Sequence, residues 1–280
     1  MIINQKSYDS KPSLFLIPTP IGNLEDITLR AINTLKGVDE ILCEDTRTTS
    51  TLLNKYKIKK RLVSCHEYNE RKMIEYVLSK LNEGYNFALV TDQGTPIISD
   101  PGYSISSAVI KAGYNVVSLP GATAFVPALT SSGLEPAPFL FYGFLNSKNS
   151  KQMHELMALK DIKNTIIFYE SVHRLVSTLN NMLNIFGDRN ICICREISKI
   201  HEEYIRGKIS EIISFVCDLK GEFVLIVEGN KNSIDYGELD ISDHVKLYLD
   251  EMSEMDAIKK VARERNVAKS VIYNYYHNRK

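Results

Sequence analysis

The 280 residues of the chain are enough for about two domains of ordinary size, and a hydrophobic content of 44% is typical of a globular protein with buried cores. Lysine and arginine number 34 and are balanced by 34 aspartates and glutamates, which excludes a basic field over the whole surface. Any contact with nucleic acid must therefore come from a local patch.

The cysteines and the apolar runs indicate where the protein resides. Five cysteines at irregular spacing favour reduced, buried thiols over a disulfide framework, and no cysteine or histidine pair has a metal-ligand spacing. The N-terminal segment 1–13 is polar, and no apolar run approaches the roughly 18 residues of a membrane span. We therefore expect a cytoplasmic protein without a metal site or a membrane contact.

The first part of the chain alternates short apolar runs with amphipathic segments. Predicted strands lie at 14–17, 40–43, 61–64, 87–91 and 115–119, and predicted helices at 28–35, 48–56, 72–82 and 104–112. Strands that alternate with helices of about ten residues indicate βαβ units and a mostly parallel sheet. We assign residues 1–120 to an N-terminal α/β domain.

Prolines clustered between positions 119 and 140 mark the passage into a second α/β domain, residues 121–232. This part is richer in strands, so we expect a mixed sheet. Predicted strands lie at 139–144, 165–169, 191–195, 203–208 and 222–228, and predicted helices at 176–186 and 210–219. Segment 147–160 is predicted to be a helix or a loop, and 230–237 a linker.

The C-terminal segment 240–280 is predicted to be a small, basic helical unit. Helical patterns at 255–266 and 271–277 flank a tight turn, which is typical of a helix-turn-helix. From 257 to 280, seven lysines and arginines stand against one acid, with Tyr273, Tyr275 and Tyr276 between them. This pattern suits phosphate contact with base stacking, and a solvated charge cluster is the alternative.

Three strands of the first domain end in turns rich in glycine, proline and small residues, at 17–23, 91–102 and 119–124. The carboxyl ends of strands are where open α/β sheets bind ligands. Glycine allows close approach of backbone to ligand, and proline makes a turn rigid. The turns predict a pre-shaped pocket that holds a cofactor by shape and hydrogen bonds.

Charged side chains follow the same strands. Asp45 and Arg47 follow the second strand, His66 the third, and Asp92 and Asp100 the fourth. Such groups are costly to bury, which favours a functional role. Asp45 and Arg47 could form an ion pair that shapes the pocket, orient a ribose, or clamp a phosphate through Arg47.

Together these motifs resemble the tetrapyrrole methylase superfamily and, within it, the branch that methylates ribosomal RNA. Gln93 stands where the family usually has alanine, and its side chain either points away from the pocket or adds a contact. The resemblance covers about residues 14–229 and is carried by segments 18–24, 44–47, 66–67, 92–96, 98–102, 120–122, 168–171, 173–174, 195–196 and 202–203.

The resemblance implies a homodimer that uses S-adenosyl-L-methionine to methylate the ribose 2′-hydroxyl of a cytidine in the decoding centre of 16S rRNA, as free rRNA or in the 30S subunit. The cofactor would lie in the cleft between two α/β domains. Its implied contacts are Pro20, Asp92, Gly94, Thr95, Ile98, Ser99, Gly121, Ala122, Thr123 and Tyr169.

Such a reaction needs a group that takes the hydroxyl proton, and the candidates are Asp45, His66 and Asp100. A tetrapyrrole (precorrin-type) methyltransferase, a diphthine synthase, and a nucleic-acid-binding regulator acting through the C-terminal helices are the alternatives. The residues expected to contact RNA are Arg47, Glu170, Arg174, Arg195, Lys259, Lys260, Arg263 and Lys269.

Overall fold

The computed structural model describes residues 4–7, 9–66, 68–217, 219–231, 239–265 and 267–278. The chain divides into two compact units, residues 1–229 and 230–280. The first unit holds two five-stranded sheets, each built from one half of its sequence. None of the helices in the described part of the chain combines the length and the apolar character that a bilayer crossing requires.

The first sheet, predicted to be mostly parallel, is parallel throughout and has the order β3-β2-β4-β1-β5. Every residue of β2 and β4 is buried, which agrees with their apolar sequences apart from Glu40, whose carboxylate pairs with Arg61 and accepts from the Tyr76 hydroxyl. Its strands are β1 (Ser13–Leu16), β2 (Glu40–Cys43), β3 (Arg61–Ser64), β4 (Phe87–Val90) and β5 (Asn115–Ser118). The helices are α1 (Leu29–Gly37), α2 (Thr46–Lys55), α3 (Glu70–Asn82) and α4 (Tyr103–Lys111), with a 3-10 turn at Leu24–Asp26.

The second sheet is mixed, as expected, because β6 and β7 are parallel and its other neighbours are antiparallel. Its order is β6-β7-β10-β8-β9. The strands are β6 (Phe139–Phe144), β7 (Thr165–Ser171), β8 (Asn190–Arg195), β9 (Glu203–Lys208) and β10 (Glu222–Val227). The helices are α5 (Phe125–Ser131), α6 (Asn149–Leu159), α7 (Leu175–Phe186) and α8 (Ile209–Phe215).

Helix α5 lies in the proline-rich passage, where the sequence predicted no helix. Pro127 is the third residue of this helix, and the backbone amides of a first turn have no intrahelical acceptor, so a proline is tolerated there. Segment 147–160, for which the sequence left helix or loop open, forms helix α6.

Apolar side chains of the two halves share one cluster, which brings the strand-end loops to the second sheet. Ile21, from the loop after β1, packs with Ile197, Ala128 and Val224. Separate apolar clusters cover both faces of the first sheet and the outer face of the second.

The second unit has three helices in its described residues: α9 (Ile241–Lys246), α10 (Glu254–Glu264) and α11 (Lys269–His277). The two predicted helices and the turn between them are confirmed, whereas α9 was not foreseen. Their core contains Val245, Ile258, Val261, Ile272 and Tyr276. The predicted linker falls mostly on residues 232–238, outside the described residues.

Candidate functional site

A cavity of about 560 Å³ lies between the loop after β4 and the second sheet. This volume is within the range of small-molecule sites. The loop contributes carboxylates and hydroxyls, and the second sheet contributes mainly apolar groups. The lining from the loop consists of Thr91, Asp92, Gln93, Gly94, Thr95, Ile98, Ser99 and Asp100.

The loop after β4 is held to the loop after β1 by a pair of backbone hydrogen bonds. Thr19 and Gly94 exchange N–H to carbonyl bonds of 2.9 and 3.0 Å, and the Thr19 hydroxyl donates to the Thr91 carbonyl at 3.0 Å. Gly94 has a φ of 86°, a conformation that favours glycine. The two motifs recognised separately in the sequence therefore form one rigid wall of the cavity.

The same loop contains strained backbone next to its polar side chains. Ile97 and Ser99 have φ values of 77° and 65°, in the left-handed region that non-glycine residues seldom occupy. Such strain concentrates where a loop presents side chains to a ligand. Here it places Ser99 and Asp100 at the cavity wall.

Asp100 differs electrostatically from an ordinary aspartate. Burial, followed by the negative charges of Glu44 and Asp92, raises its pKa to about 6. Burial also raises the pKa of Asp92 and of Glu44, and Asp92 adds to the shift at Glu44. The carboxylates at this wall therefore favour a ligand with positive charge, and Asp100 can take up a proton near neutral pH.

Seven of the ten predicted cofactor contacts line the cavity: Asp92, Gly94, Thr95, Ile98, Ser99, Thr123 and Tyr169. The other three are Pro20, Gly121 and Ala122, which lie outside its lining. The Ala122 carbonyl accepts a hydrogen bond of 3.0 Å from the Thr95 hydroxyl, so it supports the wall from behind.

Gly121 and Pro20 have positions that explain their residue types. A Cβ on Gly121 would lie 2.7 Å from Pro18 Cβ, so only glycine fits between the two loops. Pro20 lines an adjacent groove of about 370 Å³ on the α2 side. Thr91, Asp92 and Gln93 line both spaces, so Gln93 lies on the wall that they share.

Asp45 caps helix α2, and it does not line the cavity. Its Oδ1 accepts from the Arg47 backbone amide at 2.8 Å, and its Oδ2 pairs with the Arg47 guanidinium at 2.6 Å. The Arg47 hydrogen bonds lower the pKa of Asp45 to about 2, which makes it a weak base. Of the roles considered for this pair, the structure shows the internal ion pair.

His66 follows β3 and lies near Glu44, where its charge would lower the pKa of that carboxyl. It is not part of the cavity lining. Its backbone amide donates to Asn69 Oδ1 at 2.9 Å, and none of the described residues hydrogen-bonds its buried Nδ1. Of the three candidate bases, Asp100 alone lines the cavity.

Three residues expected to contact RNA have partners within the protein. Glu170 is buried under the cavity, accepts from the Thr178 hydroxyl at 2.7 Å, and pairs with Arg174 at 2.8 Å. Arg174 also donates to the Leu145 carbonyl at 3.1 Å. These bonds engage the Arg174 guanidinium, which was expected to hold an RNA phosphate.

Arg195 is engaged in the same way. It pairs with Glu203 at 3.1 Å and donates to the Lys220 carbonyl at 2.6 Å. The guanidinium of Arg47 is different, because 89% of its side chain remains exposed beside Asp45. The four expected tail cations, Lys259, Lys260, Arg263 and Lys269, lie in the second unit.

The second sheet supplies cavity residues that the sequence analysis missed. Tyr169, Val224 and Cys194 are paired across β7, β10 and β8 and form one row along the cavity. Tyr169 was expected from its motif, whereas Val224 and Cys194 carry no signal apart from strand alternation. Phe144, at the end of β6, packs edge-on against Tyr169 at 5.4 Å and also lines the cavity.

Comparison with known proteins was made by sequence and by structure. A protein named Ribosomal RNA small subunit methyltransferase I from Bacillus subtilis (strain 168) is 47% identical over 289 residues, covering 99% of both chains. One of the same name from Halalkalibacterium halodurans is 46% identical over 98% of both chains. The Thermotoga maritima protein of that name is 46% identical, and the match covers 78% of this chain and 99% of that protein.

Solved structures of lower identity share the fold. Diphthine synthase superimposes with a TM-score of 0.61 at 11% identity, covering 77% of this chain and 90% of that one. Uroporphyrin-III-C-methyltransferase from Thermus thermophilus gives 0.57 at 18% identity, covering 78% and 94%. The same Thermus enzyme has been solved in complex with S-adenyl homocysteine, with a TM-score of 0.56 at 17% identity and coverage of 77% and 97%. The profile of the family described as Tetrapyrrole (Corrin/Porphyrin) Methylases matches residues 13–213, and the chain belongs to this family.

Proposed function

We propose that the protein transfers the methyl group of S-adenosyl-L-methionine to the ribose 2′-hydroxyl of a cytidine in 16S rRNA. The observation that carries this proposal is the similarity, at 47% identity over 99% of both chains, to a protein named Ribosomal RNA small subunit methyltransferase I. The tetrapyrrole and diphthine enzymes share the fold at 11–18% identity, and a likeness at this level supports the fold alone.

The lining of the cavity suits S-adenosyl-L-methionine. Asp92 and Asp100 provide negative charge for its cationic centre. The hydroxyls of Thr95, Ser99 and Thr123 can bond a ribose or a carboxylate, and apolar groups can cover an adenine ring. When bound, the cofactor supplies an activated methyl group.

Asp100 is the residue that we assign to proton transfer. It lines the cavity, and its raised pKa suits a base that works near neutral pH. The loop after β4, which is bonded to the loop after β1, would position this carboxylate for the acceptor hydroxyl. Asp92, on the wall shared with the adjacent groove, would orient the acceptor or the cofactor.

The groove on the far side of Asp92 and Gln93 is the position that we assign to the acceptor nucleotide. It shares three residues with the cavity and is otherwise lined by α2 hydroxyls and apolar groups, including Thr48, Thr51 and Leu52. Hydroxyls can bond a sugar or base edge, and the apolar groups can cover a base face. For transfer, the ribose of a nucleotide held there must reach past Asp92 and Gln93 into the cavity, where Asp100 lies.

The domain and assembly assignments belong to the same proposal. Residues 1–120 and 121–232 would enclose the cofactor between them, and the enzyme would act as a cytoplasmic homodimer. Analytical ultracentrifugation of the purified full chain tests the dimer, which a single species of monomer mass at micromolar concentration would contradict.

A transfer assay tests the reaction. Purified full-length protein is incubated with radiolabelled S-adenosyl-L-methionine and, in parallel, unmethylated 30S subunits, naked 16S rRNA and a tetrapyrrole precursor. The proposal is supported if label enters RNA at one cytidine and the chain there resists alkaline cleavage, as a 2′-O-methyl group requires. The labelled substrate then shows which RNA form is used. Label only in the tetrapyrrole, or none despite measured cofactor binding, would overturn it; the second result would favour a binding or regulatory role.

A matched pair of variants tests the role of Asp100. Asp100→Asn should lower turnover on 30S subunits at least about a hundredfold, and it should weaken cofactor binding much less, because Asp92 still supplies negative charge to the cavity. The control is Asp188→Asn, which removes a carboxylate that bonds Ser210 at the start of helix α8, outside the cavity lining. Equal activity of Asp100→Asn and wild type would eliminate Asp100 as the base.

A further inference from the structure

The cations of the second unit have two distinct environments. Arg265 donates to His244 Nδ1 at 3.0 Å and also bonds the Leu239 carbonyl. Because Nδ1 accepts this bond, the proton of His244 is on Nε2, which bonds Glu264 at 2.8 Å. Arg265 and Glu264 thus join α9 to the end of α10 and serve the internal structure of the unit.

Lys260 also has a structural environment. Its Nζ lies 3.7 Å from the centroid of the Tyr248 ring, a cation–π contact. Tyr248 in turn donates to Glu264 at 2.9 Å. The positive charge counted along the sequence from 257 to 280 is therefore not one continuous patch.

Three other cations converge on one groove. Lys259, Arg263 and Lys269 line a space of about 540 Å³ between α10 and α11. Lys259 and Arg263 are four residues apart and therefore lie on one face of α10. Lys269 is the first residue of α11. The rest of the lining is Ala262, Val267 and Ala268, which are small enough to let a ligand approach closely.

Acidic side chains leave most of this charge uncompensated. Lys259 pairs with Asp256 at 2.9 Å, and both side chains are about half exposed. Lys269 also lowers the pKa of Asp256, after the larger effects of Lys259 and Ser253. Among the described residues, no acid forms an ion pair with Arg263 or Lys269. The groove thus carries a net positive charge next to a single exposed carboxylate.

We infer that this groove binds the phosphodiester backbone of RNA, through Lys259, Arg263 and Lys269, and that Lys260 and Arg265 take no part. The positive charge of the groove and the small side chains between its cations favour a polyanion as the ligand. Tyr273, which lies on α11 together with Lys269, is 40% exposed and can stack on a base. The choice of RNA over another polyanion rests on the proposed function.

The test measures binding of the full-length protein to a labelled RNA of about 20 nucleotides and mixed sequence, over a range of salt. For single strands the slope of log K against log salt is about −0.7 per phosphate neutralised. The triple variant Lys259→Gln, Arg263→Gln, Lys269→Gln should therefore lower the magnitude of the slope by about 2 and weaken binding at least about tenfold at low salt.

Single variants provide the matched control. Arg263→Gln and Lys246→Gln each remove one exposed charge from the second unit, and Lys246 pairs with Asp243 on α9, outside the groove lining. Arg263→Gln should reduce the slope by about 0.7, and Lys246→Gln should leave it unchanged. Circular dichroism and cofactor binding of each variant establish that folding is retained.

Equal affinity and slope in the triple variant and wild type would overturn the inference, as would equal losses in Arg263→Gln and Lys246→Gln. Stronger binding of duplex DNA or of an acidic peptide than of RNA would overturn the choice of partner. The proposed function can fail separately: loss of RNA binding in the triple variant supports the groove even if the wild type methylates no RNA.

Discussion

The backbone amide of Asp45 donates a 3.3 Å hydrogen bond to the carboxylate of Asp92. This bond joins the start of α2 to the loop that forms the cavity wall. Because the Asp45 side chain is occupied by Arg47, its contribution to the site comes through the backbone. Two carboxylates at strand ends thus have different roles: Asp45 shapes the wall, and Asp92 lines the cavity.

Replacing Asp45 by alanine should weaken the cap of α2 and leave the proton-transfer step intact. We expect a lower Tm and at most a few-fold loss of turnover on 30S subunits, because the cavity retains Asp100. The pKa of Asp45 is depressed, so its stabilising effect is present above the ordinary value of 3.8 and is lost as pH falls toward about 2. Denaturation curves between pH 4 and 2 should show this loss in wild type only; a hundredfold fall in turnover at pH 7 would restore Asp45 as the base.

Asp100→Asn should stabilise the protein at pH 7 even though it lowers turnover. A raised pKa means that the folded protein binds the proton more tightly, so wild-type stability falls as pH rises from 3.8 to about 6 and stays lower above it. We expect the variant to gain about 1–2 kcal/mol at pH 7 and nothing at pH 3, allowing for partial solvent exposure. Urea denaturation at the two pH values measures this difference, and a variant less stable than wild type at pH 7 would contradict it.

The pH dependence of the reaction provides a separate check on Asp100. A base must be deprotonated to accept a proton, so kcat/KM should rise as pH increases through about 6 and then level off. The profile is measured on unmethylated 30S subunits with saturating cofactor. A profile that is flat from pH 5 to pH 8 would be incompatible with this assignment.

Gly102→Ala should disturb the loop that carries Asp100. Gly102 has a φ of 125°, and an added Cβ would lie 2.5 Å from Leu89 Cδ2 in the core. We expect a loss of about 2–3 kcal/mol in the free energy of unfolding and weaker cofactor binding. Gly113→Ala is the matched control, because Gly113 has a φ of 84° but open space around its Cβ position, so only about 1 kcal/mol should be lost there, with normal cofactor binding.

Glu170→Gln tests whether the Glu170–Arg174 pair is structural. The Glu170 side chain is 1% exposed, so its replacement leaves the Arg174 charge without a buried partner and should cost about 2–4 kcal/mol. Glu203→Gln, which breaks the more exposed pair with Arg195, should cost about 0–1 kcal/mol. Unfolding curves measure both, and a change of RNA affinity in Glu170→Gln without a loss of stability would instead support the expected RNA contact.

Short-range patterns predicted much of the fold. The strands at 40–43, 61–64, 139–144 and 203–208 have the predicted bounds. Helix α5 was missed because Pro127 signals a break unless its place in the first turn is known. The loop around Asp92 was recognisable because its glycines and prolines encode backbone shape locally.

The sequence by itself determined the alternation of strands and helices, the cavity-forming loops, and the presence of a basic helical tail. Only the tertiary structure decided that Tyr169, Val224 and Cys194 form one row, because strand order and register depend on packing between distant segments. It also decided which cations have internal partners and which face open space. Arg174, Lys260 and Arg265 differ from Arg263 and Lys269 only in the neighbours that folding brings to them.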